Sequence, residues 1–398
     1  MPFPSPGPRY GHRDRALAWI APLALLLTLP SAGCVGYYGG PHRSAATPGY
    51  VLAPESRLGD RRLTATFLGN TTVLVTDGET ALMTDGFFSR PPWWQVLFGR
   101  VAPDEAGIRR ALARARVERL DAVLVSHSHY DHAMDAPTVA RLTGASLVGS
   151  ESARQIALGG GIPEEDICVV VPEPGTGPPE KGDADCVRPA RLPDCRVPAG
   201  RPLCFGKFRV TLVESRHGRS DLGGLLPSGP DRVAEPLRPP ARFTDYRAGD
   251  VYSIHIDHPL GAVLVHGSAG FRPGALRGYR ADVVFLGVAL LGEQTPEYVH
   301  RYYEEVAGTV GAGTVVPIHW DDFTRGLGEP LRPLPDAITD VTRAIDFLDE
   351  RLERDPEVSL LRLPEFIPLL VGSDAASTRA QEAPGGTAAA PAARAALP

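Results

Sequence analysis

Only two of the 398 residues are lysines, Lys181 and Lys207, and only five are cysteines. Arginine carries nearly all the positive charge, no Lys/Arg run is present, and the formal net charge is −6. That pattern leaves no electrostatic footprint for a phosphate backbone, and no nucleic-acid partner is expected. No C-x2-C pair occurs, which argues against a zinc knuckle. The longest apolar run near the N-terminus, Ala16 to Leu29, is shorter than the ~20 residues of a spanning helix. What is present is a globular composition: 43% hydrophobic residues, enough for a sizeable core, with 43 glycines and 40 prolines that imply many loops.

The N-terminal run follows Arg9, Arg13 and Arg15 and ends in small residues, so 1–33 reads as a signal peptide. Ser31-Ala32-Gly33-Cys34 resembles a bacterial lipobox, apart from Ser31 where leucine is usual. The resemblance implies a lipoprotein with lipidated Cys34 as its membrane anchor. It would face the periplasm from the cell envelope, at the outer membrane of a Gram-negative cell since Val35 rather than aspartate follows. A plain secretory signal is the alternative. Residues 34–60, rich in Gly, Pro and Tyr, suit a flexible tether. The other cysteines, Cys168, Cys186, Cys195 and Cys204, lie in one Pro-rich stretch and suggest two disulfides with three possible connectivities. The expected pairing is Cys186–Cys195 as a small loop and Cys168–Cys204 closing its base.

From 61 to 372 the pattern is that of one α/β domain in two similar halves, each with strands first and helices after. Strands LTATFLG, TTVLVTDG and ALMTDGFF are separated by turns at Gly69-Asn70 and Gly78-Glu79. A helix is expected over Asp104–Val117, then strand DAVLVSH, a helix at Ala136–Leu142, strand SLVGS and a helix from Glu151. The second half predicts strands at 208–215, 251–257, 261–267, 281–287 and 313–320, and helices at Pro296–Val306 and Pro335–Leu352. Insertions interrupt near 172–203 and 218–250; long loops of this kind are functional lids or disordered. The tail 373–398 has no apolar periodicity and is expected to be disordered.

Chemistry concentrates in Ser126-His-Ser-His-Tyr-Asp-His132, directly after an apolar strand. His127 and His129 alternate on a strand end and leave on one face. Asp131 and His132 follow in the turn, where the chain can aim them at the same spot. Neutral imidazoles with a carboxylate suit Zn²⁺ at ~2.0–2.2 Å. The stretch resembles the HxHxDH signature of the metallo-β-lactamase-fold hydrolases, whose fold is a four-layer αβ/βα sandwich. In FLGNTTVLV, TDGFFSRP and VVPIHWDDF it is similar to the branch of ascorbate-6-phosphate lactonase and N-acylphosphatidylethanolamine phospholipase D. The resemblance implies one metal on His127, His129 and His217 (in LVESRHGRS). It implies a second on Asp131, His132 and His319 (in VPIHW). Asp131 would also be catalytic, orienting the attacking hydroxide, and Asp85 would hold a ligand histidine from behind.

Ser268, in LVHGSAGF, stands where that family usually carries a bridging aspartate, which leaves one or two metals open. His266, His255, Asp257 and Asp321 are candidate substitutes, or structural residues. Arg219 and the 218–250 loop are expected to face substrate. Trp93 and Trp94 read either as an apolar rim or as a packed pair. The resulting expectation is a metal-dependent hydrolase using Zn²⁺ or another divalent transition metal on a small-molecule or lipid substrate. That substrate would be a phosphodiester, phospholipid, ester or lactone. The alternative is an envelope lipoprotein of this fold that binds a metal or ligand with little or no catalysis. β-Lactam hydrolysis would rest on fold analogy alone.

Overall fold

The computed structural model describes residues 62–172, 186–189, 194–218, 232–328, 330–336 and 338–372. The segments read as signal peptide (1–33) and tether (34–60), Cys34, Arg219, the tail and the middle of both insertions lie outside the described residues.

Strands β1 (Thr64–Phe67), β2 (Val73–Thr76) and β3 (Ala81–Thr84) form an antiparallel meander. Its turns need left-handed backbone, which Gly69, Asn70 and Gly78 supply with φ of 102°, 52° and 85°. The chain then passes through helices α1 (Trp93–Phe98) and α2 (Glu105–Arg114). Parallel strands β4 (Ala122–Leu124), β5 (Ser146–Gly149), β6 (Ile167–Val171) and β7 (Cys195–Pro198) complete the half. Between them run the single turn α3 (Tyr130–Ala133) and helices α4 (Ala136–Thr143) and α5 (Glu151–Gly159).

The second half contains β8 (Leu203–Phe205), β9 (Phe208–Glu214), β10 (Tyr252–His258), β11 (Gly261–His266), β12 (Val283–Gly287), β13 (Thr314–Ile318) and β14 (Ser359–Leu360). Helices α6 (Pro296–Tyr303) and α7 (Val341–Leu352) cover it. Strand β15 (Pro368–Leu370) returns to pair with β1. The two sheets read β15-β1-β2-β3-β4-β5-β6-β7 and β14-β13-β12-β11-β10-β9-β8.

Three apolar layers hold this together. Phe67, Leu124, Phe208, Ile254 and Phe285 lie between the sheets. Ile108, Val139 and Ile156 seal α2, α4 and α5 onto the first sheet, and Val299, Ile345 and Leu348 seal α6 and α7 onto the second. The result is the expected αβ/βα sandwich.

Local departures from the sequence reading have physical causes. The last long helix begins at Val341 rather than Pro335, because the Asp340 side chain caps it by accepting from Arg343 N–H. Strands β6, β7 and β8 were not expected, β7 falling inside the stretch read as an insertion near 172–203; β6 is apolar at every position, so it shows none of the alternation that marks a half-exposed strand. The disulfides are Cys168–Cys195 and Cys186–Cys204, which corrects the expected pairing. Cys168 and Cys195 are register partners on β6 and β7, and the bridge between Val187 and Leu203 brings Cys186 beside Cys204. Strand register, not closeness in sequence, chooses the partners.

Candidate metal centre

Strands β1, β3 and β4 run one way in the first sheet, and β9, β11 and β13 run one way in the second. Their carboxyl ends meet at one edge, the position where open α/β sheets place their ligands. His127 and His129 leave the end of β4. The turn of α3 starts just after His129 and brings Asp131 and His132 back toward it. His217 follows β9. His319 follows β13 in a left-handed conformation, φ 60°, that a histidine adopts only under constraint.

Two three-residue groups result: His127, His129 and His217, and Asp131, His132 and His319. Within each, the potential ligand atoms lie within 4.8 Å of one another. The groups adjoin, with the His127 and His132 rings 3.7 Å apart, and His129 and His217 at 4.6 Å. Asp131 Oδ2 is 3.4 Å from Nε2 of both His132 and His319.

The far sides of the His132 and His217 rings are held by the protein. Asp85 accepts from His132 Nδ1 at 2.9 Å, from Ser126 N–H at 2.7 Å and from the Thr71 hydroxyl at 2.6 Å. His217 Nδ1–H donates to the Gly218 carbonyl at 2.8 Å. Each arrangement leaves Nε2 turned inward as a lone-pair donor. His127 Nε2 is buried without a hydrogen-bond partner. A buried ring nitrogen in that state is rare in folded proteins unless it serves a ligand. Five imidazoles and a carboxylate converging here fit a divalent cation of borderline softness.

The electrostatics agree with that fit. Burial, followed by the surrounding imidazoles, holds His127 well below the ordinary histidine range. Burial and His132 push His319 down to about 3. Neutral imidazole is the form that ligates. His132 goes the other way: burial opposes its charge, but Asp131 and Asp85 on its two sides raise it to about 10. Asp131 is penalised by burial, yet His132 and His319 hold its carboxyl well below the usual carboxylate range. The axis from Asp85 to Asp131 demands positive charge, which a proton on His132 or a metal cation satisfies equally.

The remaining candidates sit elsewhere. Ser268 Oγ accepts from Gly218 N–H at 2.9 Å and so braces the loop carrying His217. His266 has both ring nitrogens committed at 2.7 Å, to the Ser253 hydroxyl and the Gly270 carbonyl, and has none for a bridging role. β10 runs opposite to its neighbours, so His255 and Asp257 near its end approach the other edge; His255 Nε2 donates to the Arg280 carbonyl. Asp321 accepts from Asn70 N–H at 2.8 Å and pairs with buried Arg90 at 2.5 Å. Trp93 and Trp94 lie on α1 and are largely exposed, not a buried pair.

Asn70, Thr71 and Arg90 were missed by sequence reasoning. Asn70 Nδ2 donates to the Asp131 carbonyl at 2.5 Å, and its own carbonyl accepts from His319 N–H at 2.7 Å. One turn residue thus fixes ligands from both sheets. The available signal was a polar GNTT turn between two apolar strands, which reads as an ordinary hairpin.

Comparison with known proteins agrees with this architecture. Residues 65–187 match the family model described as the metallo-beta-lactamase superfamily. Over 88 residues the chain is 35% identical to a UPF0173 metal-dependent hydrolase of Heliobacterium modesticaldum, covering 22% of this chain and 30% of that protein. The chain therefore matches under a third of the length of that curated relative. Among solved structures it is similar to Igni18, a metallo hydrolase from the archaeon Ignicoccus hospitalis (14% identity, 77% of this chain and 97% of that one, TM-score 0.40). It is also similar to the metallo-beta-lactamase fold protein YhfI from Bacillus subtilis (12% identity, 78% and 99%, TM-score 0.40). With two sheets flanked by helices and a histidine-rich edge between them, the chain has the metallo-β-lactamase fold, and over residues 65–187 it matches that superfamily's model.

Proposed function

We propose that this chain is a metal-dependent hydrolase acting on ester bonds, with an amphiphilic phosphodiester, phospholipid, ester or lactone as substrate. One observation carries the reading: two adjoining three-residue ligand groups, containing a buried ionised carboxylate, at the carboxyl edge of both sheets. The donor set favours Zn²⁺, one or two per chain. A bound cation supplies Lewis acidity and makes a neighbouring water more acidic.

The residues divide the remaining work. Asp131 would help hold the cation and, as a buried carboxylate, would orient a water at this edge by accepting its hydrogen bond; the Asn70 amide fixes Asp131 by donating to its backbone carbonyl. Asp85 and Thr71 keep the His132 ring aimed. His129 and His217 are half-buried whereas the second group is fully buried, so substrate approaches from the side of the first. The similarity of FLGNTTVLV, TDGFFSRP and VVPIHWDDF to the lactonase and phospholipase D branch supports a phosphate-bearing or lactone substrate. The lipobox-like segment supports a lipid-anchored envelope location through Cys34.

Metal analysis together with turnover of bis(p-nitrophenyl) phosphate and a p-nitrophenyl ester tests the reading. Turnover that is lost on chelation and restored by Zn²⁺ is expected. Stoichiometric metal without turnover of either substrate would instead support a binding protein, with Ser268 in place of a bridging carboxylate as the reason. Labelled palmitate should appear on the wild type and vanish in Cys34→Ala.

A further inference from the structure

Helix α1 turns most of its side chains outward. Trp93 is 44% exposed, Trp94 56%, Leu97 45% and Phe98 70%, and only Val96 is buried. Seven large hydrophobic residues are exposed among the described residues, and four of them lie within these six positions. Scattered exposed apolar side chains need no explanation, but a contiguous group does.

The flank of the patch is cationic. Val101 and Ala241 form an antiparallel bridge just beyond α1, which sets exposed Arg100 and Arg242 opposite one another. Arg100 donates to the Pro240 carbonyl at 3.2 Å. Among the described residues neither guanidinium is paired with a carboxylate, the Asp245 carboxylate accepting instead from the Arg242 backbone N–H at 2.9 Å, and α1 itself contains no acidic residue. Two like charges placed together disfavour a symmetric contact with a second copy, which would bring four together. They favour an anionic surface.

The patch also leads to the metal centre. From Ala241 the chain passes to half-buried Phe243, whose ring lies 6.1 Å from Tyr130 in the histidine loop. Tyr130 is 6.2 Å from Phe323, and Phe323 is 5.5 Å from the His319 ring. An aromatic path thus runs from Phe243, two residues past the Val101–Ala241 bridge beside α1, to a metal-ligand candidate.

We propose that α1, with Arg100 and Arg242, docks on an anionic lipid surface and sets the metal centre beside the interface. Tryptophan, phenylalanine and leucine flanked by arginine are the side chains that partition into the headgroup–acyl boundary of anionic membranes. The docking stands independently of the hydrolase reading; that an interfacial ester is the substrate rests on it.

The test uses residues 34–398 with Cys34→Ala throughout, so that neither the apolar 16–29 run with Trp19 nor an acyl chain at Cys34 contributes. Vesicles of phosphatidylglycerol with brominated acyl chains should quench tryptophan emission, and Trp93→Phe/Trp94→Phe should lose that quenching while still binding. Leu97→Ser/Phe98→Ser should weaken vesicle affinity at least tenfold. Arg100→Glu/Arg242→Glu should do so for phosphatidylglycerol but not for phosphatidylcholine. Metal content should stay at the wild-type level in each variant, which separates lost docking from lost folding. Equal quenching in Trp93→Phe/Trp94→Phe, or unchanged affinity in the serine variant, overturns the proposal. So does a concentration-dependent dimer in the parent that the serine variant abolishes. Quenching is read without turnover, so a failed hydrolase assay and a failed docking assay remain distinguishable.

Discussion

His127, His129 and His217 are three imidazoles at a half-open edge, whereas Asp131, His132 and His319 are fully buried and include a carboxylate. Their supports differ as much as their composition. Behind the second group stand Asp85 on His132 and Asn70 on the backbones of Asp131 and His319, with Asp321 and Arg90 behind Asn70. Behind the first stand the Ser126 hydroxyl at 3.3 Å from His127, the Gly218 carbonyl on His217 and, one step removed, Ser268. One half of the centre is charged and braced; the other is neutral and open. The braced half is the one to grip a cation, and the open half the one to exchange with solvent and substrate.

The largest test of that asymmetry is Asp131→Ala. It removes the carboxylate of the two ligand groups and leaves an imidazole site on each side. Turnover should fall by about a thousandfold or more, with loss of the tighter-held metal. Equal loss from His217→Ala, read by metal titration, would break the comparison.

A second test concerns the segment that delivers Arg90. Asp135 accepts from Phe88 N–H, Ser89 N–H and the Ser89 hydroxyl, and burial raises its carboxyl from 3.8 to about 6 despite those bonds. The folded state binds this proton more tightly than the unfolded chain, so ionisation works against folding above pH 6, and the effect fades toward pH 4. The stability of Asp135→Asn relative to wild type should therefore rise between pH 4 and 7, by at most about 3 kcal/mol. Denaturant titration across that range checks it; a flat difference would mean that the carboxyl is not perturbed.

Asp85→Asn should weaken metal affinity by about 10–100-fold, the range typical for groups that orient a ligand histidine. The loss should fall on the Asp131 half, visible as one altered step in competition with a chelator. The smallest effect is expected from Ser268→Ala, which leaves Gly218 N–H without its acceptor at a cost of about 1 kcal/mol. It should loosen the His217 half a few-fold and leave the other unchanged.

Legibility in the sequence followed the range of the contacts. The four residues of the histidine loop are close in sequence and follow directly on a strand, β4 ending at Leu124 and Asp131 and His132 lying in the α3 turn, so local pattern alone brought them together. His217 and His319 were placed by family resemblance, because a lone histidine at a strand end carries no spacing signal. Asn70 to Asp321 spans 251 positions and Arg90 to Asp321 spans 231, and no local pattern announces such contacts. Asp321, His255 and His266 were open as substitute ligands or structural residues from chemistry alone, and their existing partners or strand direction engage them away from a ligand position. The disulfides were misassigned for the same reason, since register between β6 and β7 is a tertiary fact.

Asn70 joins Asp131 in the first half to His319 in the second, and every cation held at this edge would do the same. Metal occupancy is then also a matter of cohesion between the halves. A chain starved of metal keeps its core, but its carboxyl edge becomes the first place to open, since local unfolding begins where stabilising contacts are fewest. Proteases that sample open states would meet the metal-poor population first. With a metal bound there, the geometry that prepares the centre for chemistry would also tie the protein's lifetime to its metal supply.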